Sequence, residues 1–137
     1  MKQLRKVGHI FLIVLTCFLA LTGILGGIAL LANLNAPPVE QLQGSIFKDF
    51  TIPGLALFVI VGGSALLAAI LLVRKNKYGV LCATVAGIII MFFEFMEVLA
   101  IGSPPGVAQT LQVFYFGLGI IITIVSTGVW FIDLSSE

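Results

Sequence analysis

The chain has 137 residues, 60% of them hydrophobic and 9% charged, with a formal net charge of +1. Soluble domains carry roughly 25% charged residues, so an ordinary globular fold is excluded, and the near-neutral balance gives no reason to expect a nucleic-acid partner. Long apolar runs nearly fill the chain, several of them beyond the ~18 residues that mark a spanning helix, and they leave no room for a separate soluble domain.

The amino-terminal tail carries Lys2, Arg5 and Lys6 ahead of an apolar run from about Ile10 to Ala32. Secretory signals have apolar cores of only about 7–15 residues, so this run is read as a retained first span. Gly23 and Gly27 within it are four apart, a spacing that lets a neighbouring helix approach closely. The connection 33–51 is the longest and most polar. Asn33, Asn35, Pro37 and Pro38 end the first helix, because proline lacks an N–H and restricts the residue before it. Ile46, Phe47 and Phe50 beside Lys48 and Asp49 suit a short amphipathic piece at the interface. Asp49 or Thr51 is placed to cap the next helix, with Pro53 tolerated in its first turn.

The second span is expected over about 52–73, with small residues at Ser64, Ala65, Ala68 and Ala69. Arg74, Lys75, Asn76 and Lys77 make a tight basic turn. The third span follows over about 78–101, with Gly79, Ala83 and Gly87 on one stripe. Gly102 to Gly106 is a turn by composition. The fourth span covers about 109–132, with Gly119, Thr123 and Thr127 on one stripe and Trp130 suited to an interfacial aromatic belt. Six of the seven basic residues fall in the amino-terminal tail and the second connection. By the positive-inside rule both termini are cytoplasmic. The expected fold is all-α: a single polytopic membrane domain, 1–137, built as an antiparallel four-helix bundle in the cell membrane.

Chemistry rests on few side chains. Cys17 and Cys82 lie in different apolar runs with no Cys-x-x-Cys pair, and His9 is the one histidine, so neither a thiol redox motif nor a metal set is expected. No cofactor is implied. Glu94 and Glu97 are the strongest signal, since an ionisable residue inside a spanning helix costs roughly 2.5–3.5 kcal/mol at its centre on insertion scales. Their i, i+3 spacing puts them on one helix face, where they are able to share a proton, bind a cation or meet a polar head-group. The alternative is that Glu94 is bundle glue while Glu97 reaches interfacial water. Gln112 and Tyr115, also i and i+3, start the fourth span at a depth similar to Glu97. A Glu97, Gln112, Tyr115 cluster is therefore expected, either as a ligand site joined by Asp49 or as plain interhelical bonding.

Leu42, Gly44, Ser45, Phe47, Asp49, Phe50, Ile52, Pro53, Gly54 and Leu55 form a Leu-x-Gly-Ser-x-Phe-x-Asp-aromatic-x-Ile-Pro-Gly-Leu stretch. With Glu97 to Gly102 and the Leu111, Gln112, Tyr115 set, it resembles a group of small bacterial four-helix membrane proteins. The chain departs from that group in lacking a tryptophan near Phe93 and in carrying Glu94. The resemblance implies the fold and a bacterial inner membrane but no activity. Two functions are weighed, the first leading and the second its alternative. One is a non-enzymatic accessory subunit that meets membrane lipids and a homo-oligomer or membrane-protein partner through its small-residue stripes. The other is a membrane-embedded enzyme or carrier for a lipid, isoprenoid or quinone, using an outward-facing pocket at Glu94 and Glu97, with Glu97 the more important of the two.

Overall fold

The computed structural model describes residues 2–32, 51–102 and 105–135. Asp49 and the amphipathic stretch before it lie outside the described residues. Among the described residues the chain is all-helical: α1 (Lys2–Leu31), α2 (Thr51–Val73), α3 (Gly79–Ile101) and α4 (Val107–Ser135). Each is long and apolar enough to cross a membrane, the build of a multi-pass membrane protein. Lipid offers no hydrogen-bond partners to a backbone, so a spanning segment closes its own i→i−4 bonds. The first helix starts at Lys2 rather than near Ile10. Nothing in Lys2–His9 opposes helix beyond Gly8, and Lys, Gln, Leu and Arg are good helix formers.

Helix α2 is not uniform. Ala56–Gly62 winds as a π-helix between two α-helical segments, and at its end the Gly63 N–H is shared between the carbonyls of Ile60 and Val59. Helix α1 leans on this wide turn. A Cβ on Gly27 would stand 2.6 Å from the Phe58 Cβ and 2.7 Å from its backbone nitrogen, and one on Gly23 would stand 3.2 Å from the Gly62 Cα. Two glycines one turn apart thus let the two backbones touch.

Helices α3 and α4 use the same device. A Cβ on Gly119 would stand 2.7 Å from the Gly87 carbonyl oxygen. Further along the seam the Thr84 hydroxyl donates to Ser126 Oγ at 2.7 Å, and Ser126 donates to the Thr123 carbonyl. Each helix packs on the next in the chain, and α4 closes against α1, where the Phe18 and Phe114 rings meet edge to face at 5.9 Å. The core is made of small and branched side chains, with Leu12, Leu19, Ala65, Ala68, Leu72, Ala83 and Ile122 fully buried. Large apolar side chains such as Phe11, Leu21, Leu67, Phe92 and Ile124 face outwards. In a membrane that inversion costs nothing, because lipid tails are as apolar as leucine and packing alone selects the seam.

The start of α1, the end of α2 and the end of α4 converge. Arg5 pairs with Asp133, and His9 Nε2 donates to the Leu72 carbonyl at 2.7 Å. The basic turn that follows α2 is a Schellman closure: Asn76 N–H bonds the Leu71 carbonyl and Lys75 N–H the Leu72 carbonyl. Its left-handed residue is Lys75, at φ 55°, where glycine is usual.

Candidate functional site

Glycine ends α3 as well, and here its conformation matters. Gly102 sits at φ 73°, ψ −162°, a region essentially restricted to glycine. From there its carbonyl accepts a hydrogen bond from Gln112 Nε2 at 3.0 Å across the turn. A carbonyl only accepts, so the amide nitrogen must face Gly102 and the amide oxygen must face the other way. The Gln112 side chain is thereby oriented by the backbone of the preceding helix.

The freed oxygen is left in need. Gln112 is 4% exposed and Glu94 6%, and among the described residues neither Gln112 Oε1 nor Glu94 Oε2 has a hydrogen-bond partner. A buried polar atom without a partner costs roughly 1–3 kcal/mol, so two in one place call for an explanation. They share a place: both residues line a groove of about 410 Å³ between α3 and α4. Its other walls are Phe95, Val98, Val113, Phe116, Gly117 and Ile120. Most of these are exposed on the outer surface of the bundle, so the groove opens sideways, towards lipid.

The expected site residues are divided by this geometry. Glu94 and Gln112 come together in the groove. Glu97, three residues on, is half-buried and does not line it. Tyr115 is half-buried against the core and stacks edge-on with Phe114 at 5.2 Å. Among the described residues no hydrogen bond joins Tyr115 to Glu97 or to Gln112. Asp49 lies outside the described residues. Among those described, no cluster of metal-ligating side chains forms, and both cysteines are free.

The wall residues Val98, Val113 and Phe116 escaped the sequence reading, as did the pairing of Glu94 with Gln112. A signal for the pairing exists. Glu94 is seven residues beyond Gly87 and Gln112 seven before Gly119, and seven residues return a helix to nearly the same face. The two glycines that touch therefore point to the two polar residues above them. Searches against family models, curated proteins and solved structures returned no match to this chain.

Proposed function

We propose that this protein is a membrane-embedded binding protein, a carrier or enzyme subunit, that takes a hydrophobic molecule of the lipid, isoprenoid or quinone class into the groove between α3 and α4. The observation that carries the reading is the pair of buried, unpartnered polar atoms at Glu94 and Gln112 in an otherwise apolar, laterally open groove. Its volume lies within the ~300–1,000 Å³ of small-molecule sites. The bundle is antiparallel, with both termini on the cytoplasmic side of a bacterial inner membrane. Its support is the order of contacts, Gly23 on Gly62 and Gly27 on Phe58, with Arg5 on Asp133, and the basic residues gathered at the end where those termini meet. The same topology fits the resemblance to small bacterial four-helix membrane proteins.

Gly117 supplies the test. It lines the groove, yet a Cβ added there meets nothing within 4 Å, so Gly117→Phe fills the groove without striking the bundle. Full-length protein extracted in native nanodiscs should carry an enriched amphiphile by lipid mass spectrometry, and Gly117→Phe should lose it while keeping its helicity and melting temperature. Equal lipid profiles for the two proteins would sink the reading.

The accessory-subunit reading keeps one observation. The stripes that motivated it are spent inside the bundle, but Gly63 and Gly128 stay on the outer surface with nothing within 4 Å of a Cβ. A partner helix would approach there. Crosslinking in nanodiscs at several expression levels separates the two readings, because Gly63→Leu with Gly128→Leu should abolish a stable complex in one and change nothing in the other.

A further inference from the structure

We infer that the molecule held in the α3–α4 groove presents a neutral hydroxyl head-group, seated between Gln112 Oε1 and Glu94 Oε2. This rests on the groove reading above and narrows it to one head-group chemistry. The Gly102 carbonyl takes one N–H of the Gln112 amide and fixes its orientation, and the atom of Gln112 left unmet in the groove is its Oε1, an acceptor. The head-group must donate at least one hydrogen bond. A quinone carbonyl, an ester or an ether has no donor and would leave Gln112 Oε1 unmet. A free carboxylate donates nothing either and meets the acid of Glu94. An ammonium donates, but it brings a full charge against walls of Phe95, Val98, Val113 and Phe116, at a depth where charge is expensive.

A hydroxyl fits every constraint. It carries one donor and two acceptor lone pairs, so it donates to Gln112 Oε1 while its lone pairs are left for the acid proton of the Glu94 carboxyl. It enters from lipid uncharged. The apolar part of the groove is bounded by Val113 and Ile120 on α4 and by Phe95 and Val98 on α3. A long-chain alcohol, acyl or prenyl, answers this description, and so does the hydroxyl face of a quinol or a monoacylglycerol.

The probe for the test is a long-chain alcohol carrying a photoactivatable diazirine, incorporated with full-length protein in nanodiscs. Crosslinked peptides should map to the outer half of α3 and the first half of α4, and Gly117→Phe should abolish them. Unlabelled oleyl alcohol or geranylgeraniol should then compete about tenfold more strongly than the methyl ether of the same chain, the loss expected for one unmet hydrogen bond at about 1.4 kcal/mol. Either chain winning supports the head-group assignment and names the chain. Localised crosslinks with alcohol and methyl ether competing equally would overturn the hydroxyl assignment and leave the groove reading intact, water then being what meets the two atoms. Oleylamine competing better than the alcohol would overturn it in favour of a cation. Crosslinks scattered over all four helices, unchanged by Gly117→Phe, would remove the groove reading itself.

Discussion

The same substitution, glycine to alanine, should act with opposite sign at two positions of this chain. At Gly27 the new Cβ would meet the Phe58 backbone below 3 Å, and backbone has no rotamer to retreat into. Gly27→Ala should destabilise the bundle by about 1–3 kcal/mol, the ordinary range for overpacking. At Gly117 nothing stands within 4 Å, and removing a helical glycine there should be neutral or stabilising by up to about 1 kcal/mol. Unfolding in mixed micelles with a denaturing detergent measures both. The two acids separate in the same manner. Glu94→Leu should weaken alcohol-probe binding about tenfold by deleting one of the two polar partners in the groove, whereas Glu97→Leu, outside it, should cost less than about threefold. A larger loss at Glu97 would restore the weight that the sequence gives it. That weight came from spacing and resemblance, which report depth along a helix well. They do not report its rotation, and rotation decides which of two neighbouring acids faces a groove.

At the level of the helices, the turns set what the spans can do. Lys75 holds the left-handed position of the α2 closure, a conformation that costs a side chain roughly 1–2 kcal/mol relative to glycine. Lys75→Gly should therefore raise stability by about 1 kcal/mol in a thermal melt. Gly102 is the reverse case. Gly102→Ala forces a side chain into a glycine-only region, so the carbonyl that orients Gln112 should swing away. Probe affinity should fall with the groove walls untouched, and chemical-shift changes at the Gln112 amide would report the release. Hydropathy made the four spans readable because length and apolarity are all that lipid demands of a helix. It left the π-helical stretch Ala56–Gly62 invisible. Ala-Leu-Phe-Val-Ile-Val-Gly is apolar on every side, and a pattern with no polar face carries no phase from which a widened turn could be noticed. The close approach of Gly27 and Gly23 is what marks it, and that belongs to α1.

For the molecule as a whole, the charges near the converging ends are cheap to remove. Arg5 and Asp133 are partly solvent-exposed, and exposed ion pairs contribute about 0–1 kcal/mol, so Arg5→Gln should leave stability nearly unchanged and any effect should fade in high salt. The seam between α3 and α4 is tied by a hydroxyl pair, Thr84 to Ser126. A double-mutant cycle on Thr84→Val and Ser126→Ala should give a coupling of roughly 0.6 kcal/mol, the average for hydroxyl bonds between spanning helices. The groove lies on that seam and opens to the side rather than to either aqueous face. Its supply is therefore two-dimensional. A molecule that dissolves in the bilayer reaches Gln112 by lateral diffusion, and water is no part of its route. Occupancy should follow its mole fraction in the lipid, so doubling the lipid at constant total probe should halve the apparent affinity in molar units. Plotted against mole fraction, the same data should fall on one curve.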